Sequence, residues 1–341
     1  MTLVDESTKL RIIDELNFYY NFYNKDEHLF KKHLFDDSNW LDSVISFIRN
    51  TEVGIIDYTN ECIEDKYYHR IVEEIEKTEH TIFIRSSNAY ESKFGFHPLT
   101  NIALWENHSM PDSNIFDGNP EHTFIKPFKP WDFKHIGIND KNDRYILSVR
   151  RHTPIRTLLF NKIYKLNRKW GCVVRYSDYD ESTLTAKSDA KTSDIISDFS
   201  NTFITFIVET IYHGMYDDTL NYSINLTEKT LMAFHTKTIP LFFGCKNLVK
   251  SLKSMGFHTF DDIFNLNIDD IDTFDDSRRD LYLSCLVHVD DMSFSEIKEL
   301  YSQMFVKINH NYELVNHLFE LNSSIKQKVK TENEFKLKKF G

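Results

Sequence analysis

The sequence predicts an α/β fold built from two Rossmann-like halves and closed by a helical extension. Three observations predict it. Strand-length apolar runs alternate with segments of helical periodicity, the pattern that yields a parallel sheet covered by helices. The alternation breaks once, in a stretch from roughly 107 to 142 rich in Pro, Asn, Asp and His, and restarts beyond it. The length, 341 residues, suits two domains at about 150 residues each.

In the first half, Ser38 is placed to cap a helix whose apolar face is Leu41, Val44, Ile45 and Ile48. The run Val53-Gly54-Ile55-Ile56-Asp57 follows as a buried strand, and a helix carrying Ile71, Val72 and Ile75 leads to a second strand, Thr81-Ile82-Phe83-Ile84. Ile102-Ala103-Leu104-Trp105 reads as a further strand before the irregular stretch. The second half begins with the strand Tyr145-Ile146-Leu147-Ser148-Val149, a basic turn, a helix from about Ile155 and the strand Cys172-Val173-Val174-Arg175. Further strands are expected at 203–208 and 239–243, with helices starting near Thr227 and spanning 246–255. Beyond about 277 the chain reads as helical, with a lysine-rich, solvated end at 326–339. The expected domains are therefore 1–142, 143–285 and a helical 286–341.

Lys and Arg number 41 against 52 Asp and Glu, a formal net charge of −11. Such a chain is repelled by polyphosphate and by anionic membrane as a whole, so nucleic acid is possible as a partner only through a local basic cleft. The four cysteines, Cys62, Cys172, Cys245 and Cys285, are scattered and form no metal-spaced cluster, which fits a reduced, cytoplasmic protein. The first residues carry charge and lack an apolar signal core, and no run approaches the roughly 18 apolar residues of a membrane span, so neither secretion nor membrane insertion is expected. The excess of Phe, Tyr, Ile, Asn and Lys is read as background.

Two clusters bear on chemistry. In Asn225-Leu226-Thr227-Glu228-Lys229-Thr230 a helix cap, a carboxylate and a cation share one helix start beside strand ends. The free N–H groups and Lys229 suit a diphosphate; Glu228 suits a ribose diol, which donates two hydroxyl hydrogens. Taken alone, this is also what an ordinary capped surface helix looks like. Arg150-Arg151-His152-Thr153-Pro154-Ile155-Arg156 places three guanidinium groups at another strand-to-helix junction, fit to clamp phosphate oxygens, or simply an exposed basic turn. Both fall in the same half at junctions where open sheets bind ligands.

The stretch 223–230, continuing through Ile239-Pro240-Leu241-Phe242-Phe243-Gly244 to Gly256-Phe257-His258-Thr259-Phe260-Asp261-Asp262, resembles glycosyltransferase-like proteins of large phages and viruses, whose C-terminal half is similar to that of alpha-1,3-fucosyltransferases. The shared features are the Thr-Glu-Lys helix start, the Pro-to-Gly stretch and the GFxTFDD tail, and the resemblance covers about 145 to 275. It implies a GT-B architecture, two Rossmann-like domains facing across a cleft, with the C-terminal one holding a GDP- or UDP-sugar. By that resemblance Lys229 with Arg150 or Arg156 holds the diphosphate, Glu228 holds the ribose, Arg151 belongs to the arginine-bearing turn and Glu209 is the family's acidic residue after its strand. The N-terminal half carries no such resemblance, and Ala233-Phe234-His235-Thr236-Lys237 is bulkier than the family's helix.

Inverting transfer to a hydroxyl acceptor needs a general base. Glu61 is the first candidate and Asp57 the second, both just after the strand at 53–56; Glu91 and Glu106 are further ones, and His97, His122 and His135 lie in or near the interdomain stretch. Asp178-Tyr179-Asp180 is a DxD triplet, able to hold Mn²⁺ or Mg²⁺ in principle. Because Lys and Arg neutralise a diphosphate without metal, no metal and no cofactor beyond the donor are expected. The expectation is a soluble glycosyltransferase acting on a glycan or other hydroxyl acceptor. Two alternatives stand beside it: a DNA-modifying enzyme glycosylating hydroxymethylated pyrimidines, using Arg144, Arg150, Arg151, Arg156, Lys162, Lys165, Arg168, Lys169 and Arg175, and a non-catalytic interaction protein that keeps the fold.

Overall fold

A computed structural model describes residues 3–22, 26–31, 39–58, 65–86, 88–90, 93–104, 135–149, 158, 172–176, 198–209, 223–225, 228–244, 247–270 and 276–340. Two compact units result, both discontinuous in sequence. One joins Met1–His108, Gly214–Asn225 and Asn316–Gly341; the other joins Ser109–His213 and Leu226–Val315. The fold class is α/β, as expected.

In the first unit, strands β1 (Leu29–Lys31), β2 (Val53–Tyr58) and β3 (Thr81–Ser86) form a parallel sheet in that order. Helices α2 (Trp40–Asn50) and α3 (Asp65–Glu76) connect them. Alternation along the strands decides which residue meets which layer. Ile56, Ile82 and Ile84 join Val44, Ile45 and Ile48 of α2 and Tyr68, Ile71 and Ile75 of α3 in one core cluster. Gly54 lies in β2 because a Cβ there would come within 2.8 Å of Phe47 of α2. Residues of the opposite parity meet α1 (Glu6–Phe22), with the Phe18 and Phe83 rings 4.8 Å apart. Helix α1 has no counterpart among the sequence expectations. A short antiparallel ribbon of β4 (Asn88–Tyr90) and β8 (Ser223–Asn225) belongs to the same unit.

The expected strand at 102–105 is a correction: residues Pro98–Leu104 form helix α4. Pro98 occupies the first helical position, where its fixed φ and missing N–H cost nothing. His97 precedes it, and its Nδ1 accepts the Leu99 N–H at 3.1 Å, a side-chain cap. Glu15 of α1 accepts the His97 N–H at 2.8 Å and the Thr100 hydroxyl at 2.7 Å, tying down the same end. Ser38, the expected cap of α2, lies outside the described residues; Asn39 precedes Trp40 there.

In the second unit, β5 (Asp143–Val149), β6 (Cys172–Tyr176), β7 (Thr202–Val208) and β9 (Ile239–Phe243) form an all-parallel sheet of order β6-β5-β7-β9. Every residue of β7 and β9 is buried, as befits strands covered on both faces. Helices α5 (Glu228–His235), α6 (Leu248–Ser254), α7 (Asp276–Asp291) and the start of α8 (Phe294–Phe340) follow; from Asn316 on, α8 is counted with the first unit. Phe206 and Phe243 meet Tyr282 of α7, while Phe203 meets Tyr301 of α8 and Phe242 meets Phe234 of α5. The chain end expected to be a solvated tail continues as helix α8; Lys326, Lys328 and Lys330 are exposed on it while Val329 is buried.

Charged groups secure the amino-terminal edge of this sheet. Lys141 donates to the carbonyls of Ser200, Thr202 and Thr236 at 2.8 to 3.0 Å, which occupies all three ammonium hydrogens. Burial, and then the charge of Lys237, hold Lys141 well below the ordinary lysine pKa. Three well-placed acceptors nevertheless require the protonated form, so the ammonium is held there by geometry against the cost of its desolvation.

Candidate functional site

The strand order reverses between β5 and β7. The chain passes from β5 outward to β6, then returns to the other side of β5 for β7 and continues to β9. In open parallel sheets such a reversal parts the connecting loops at the carboxyl ends of the strands and leaves a crevice where ligands bind. Glu209 lies at that place, directly after β7, fully buried. Its N–H donates to Phe243 O at 2.9 Å, prolonging the β7–β9 ladder by one bond. Its Oε1 accepts the Thr230 hydroxyl at 2.6 Å, which brings the first turn of α5 to the strand end.

Gly244, directly after β9, closes the other side. A Cβ there would lie 2.5 Å from Leu248 Cδ2, so any larger residue would meet the first turn of α6, and 3.5 Å from both Cβ and Cγ of Glu209. Lys229, next to Thr230, is 8% exposed. Arg278, in the first turn of α7, donates from Nη2 to Gly244 O at 3.3 Å and faces Asp269 Oδ1 at 4.0 Å. Asp269 accepts the Lys250 N–H at 2.9 Å, a carboxylate over the amino-terminal end of α6. Burial raises the Asp269 pKa above the ordinary aspartate value. The carboxyl edge of this sheet thus gathers Glu209, Thr230, Lys229, Gly244, Arg278 and Asp269, with charges of both signs largely out of water.

Of the residues singled out in the sequence, Glu209 and Lys229 fall at this edge, and Glu228 opens helix α5. The side chain of Glu228 lies outside the described residues, as do Arg150, Arg151, Arg156 and Thr227. So does Glu61, together with Glu91, Glu106, His122 and the Asp178 and Asp180 pair. Strand β5 ends at Val149, immediately before Arg150 in sequence. Arg278 carried no signal in the sequence, because an Arg-Arg pair between aspartates at a helix start is indistinguishable from surface charge.

Asp57 belongs to the other unit and has a different setting. It is the next-to-last residue of β2, at 4% exposure, and the parallel register places its Cα beside that of Arg85. Arg85 Nη1 lies 3.5 Å from Asp57 Oδ2 and donates to Tyr19 Oη at 2.6 Å; Tyr19 in turn donates to Asp57 Oδ2 at 3.4 Å. Arg85 Nη2 reaches Leu104 O at 3.4 Å, at the end of α4. The carboxylate is thereby committed to internal partners. His97, expected near an interdomain cleft, is the α4 cap described above, and burial with the nearby Arg11 pushes its pKa down to about 4. Arg144, one of the basic residues offered for DNA, is buried: it donates to Asp290 O at 2.7 Å and Met292 O at 3.1 Å, at the carboxyl end of α7.

Among the described residues no cluster of three or more His, Cys, Asp or Glu could hold a metal ion, and no helix is long and apolar enough to cross a membrane. Comparison of the chain with protein-family models, with curated proteins and with solved structures finds no match.

Proposed function

We propose that the protein is a glycosyltransferase of GT-B type, which passes a sugar from a nucleoside diphosphate donor, GDP- or UDP-linked, to a hydroxyl acceptor such as a glycan. The observation that carries the reading is the convergence of Glu209, Thr230 and Lys229 on the point where the β6-β5-β7-β9 order reverses. A dinucleotide-like donor laid across that edge meets the start of α5, where Lys229 and the arginines after β5 neutralise the diphosphate and Glu228 accepts the ribose hydroxyls. No metal is required for that neutralisation. The base that deprotonates the acceptor is assigned to Glu61, because Asp57 is buried and faces Arg85 and Tyr19.

The test is a thermal-shift panel with GDP, UDP, ADP, CMP and their common sugars, with and without Mn²⁺. A ligand that binds the native state raises its melting temperature by mass action. One nucleotide family is expected to shift it, equally with and without Mn²⁺. Lys229→Ala, checked for folding by its own melting curve, is expected to weaken that nucleotide roughly ten- to a hundredfold, the worth of a charge-assisted hydrogen bond. No shift with any nucleotide, or undiminished affinity in folded Lys229→Ala, overturns the assignment.

A further inference from the structure

We infer that Arg278 is a positioning residue of the carboxyl-edge site, the first link in a chain of contacts from helix α7 to the first turn of α5. Its side chain is 2% exposed, and a guanidinium so deeply buried carries a large desolvation cost. The hydrogen bond from Nη2 goes to Gly244 O, the first residue beyond β9. Gly244 follows Phe243, whose carbonyl accepts the Glu209 N–H at 2.9 Å, so the turn is joined to Glu209 through one peptide unit and one hydrogen bond. Glu209 in turn carries the Thr230 hydroxyl on its carboxylate. A displacement of the Gly244 turn is therefore a displacement of Glu209, and with it of the α5 start.

A second residue of α7 separates this role from mere packing. Tyr282, one turn beyond Arg278, donates to Leu241 O at 2.9 Å and lies 3.3 Å from Ile207 O, so its hydroxyl bonds strand backbone whereas Arg278 bonds the turn after β9. Loss of Arg278 leaves α7 seated through Tyr282 while releasing the turn. Loss of the Tyr282 hydroxyl weakens the seat while its ring stays on Phe243 and the Arg278 bond to the turn is kept.

Hydrogen exchange in the unliganded full chain reads the difference. Arg278→Met is expected to speed exchange of the α5 amides at 229–231 at least tenfold, with the middle of α8 at 305–312 unchanged. Arg278→Lys, which keeps the charge without the planar fork, is expected to fall between Arg278→Met and wild type. Tyr282→Phe is expected to stay within twofold at α5 while lowering the melting temperature. Wild-type exchange at α5 in Arg278→Met, or equal acceleration by Tyr282→Phe, overturns the inference; should Arg278→Met fail to fold, Arg278→Lys is judged against Tyr282→Phe in the same way. The ligand arm rests on the donor-site reading: with the nucleotide found in the panel, Arg278→Met is expected to raise Kd about tenfold. If wild type binds no nucleotide and Arg278→Met still loosens α5, the donor reading falls and the positioning role stands.

Discussion

Asp57 and Arg85 are register partners in the parallel β2–β3 pair, and neither has water to turn to. Their attraction offsets the cost of burying two charges, and Tyr19 supplies the hydroxyl that links them. Removing one partner leaves the other uncompensated. Asp57→Asn should therefore lower stability by roughly 3 kcal/mol, measured by urea denaturation. Asp57→Asn combined with Arg85→Met should lose clearly less than the two single losses added, because the double variant has no stranded charge. Full stability in Asp57→Asn would show that the pair does not hold this layer together. The sequence marked Asp57 as a carboxylate at a strand end, and it is one. Its partner stands 28 positions away at a place only the strand register defines, so its engagement was invisible. Arg278 eluded the sequence for the same reason: burial of an arginine depends on what packs over it.

Among the elements, the segment that most shaped the sequence reading, Gly256 to Asp262, serves to end a helix. Gly256 adopts φ 91°, and the paired bonds Gly256 N to Lys253 O at 3.1 Å and Phe257 N to Leu252 O at 3.0 Å form a Schellman motif closing α6. Phe257 stacks on Phe234 of α5 at 4.5 Å between centroids, the Thr259 hydroxyl donates to Asp261 Oδ1 at 2.6 Å, and Lys253 pairs with Asp261 and Asp262. Asn311 of α8 holds the backbone N–H and C=O of His258 at 2.8 Å each. Gly256→Ala should cost about 1 kcal/mol, since a Cβ disfavours this left-handed φ, and should appear as a lower melting temperature with the far-ultraviolet spectrum unchanged. An unaltered melting temperature would contradict the Schellman reading. Long β-branched strands such as 53–58 and 202–208 were legible because burial on both faces writes continuous apolar runs. Helix α4 was misread because Ile102-Ala103-Leu104 is too short to show a period, and its decisive signals, Pro98 and the His97 cap, precede it. Helix α1 went unread because its buried Ile12, Leu16 and Tyr19 are spaced among charged residues.

Over the whole molecule, several histidines are held neutral by the fold, and this sets how stability responds to acid. Burial pushes His235 down to about 4, and burial with Arg11 does the same for His97. Burial, then His310 and Lys307, lowers His258 as well. In the unfolded chain each titrates near about 6.5. Below that value the unfolded state takes up protons that the folded state refuses until about 4, so stability falls with decreasing pH across this window and is unaffected above it. For fully buried His235 the difference is on the order of 3 kcal/mol. Protonation of His97 would also remove the Nδ1 acceptor of the α4 cap. Asp143 and Asp269 act in the opposite sense, since burial raises both and the folded state gains from their protonation as pH falls. The histidines prevail because their shifts are larger and their window opens higher. Urea midpoints measured from about pH 7 down to about pH 4.5 should therefore decline, and His235→Leu, which deletes the contribution of the more deeply buried of the two imidazoles lowered to about 4, should flatten the decline. A wild-type midpoint constant over that range would mean that these imidazoles take up protons in the native state as readily as in water, against the burial that surrounds them.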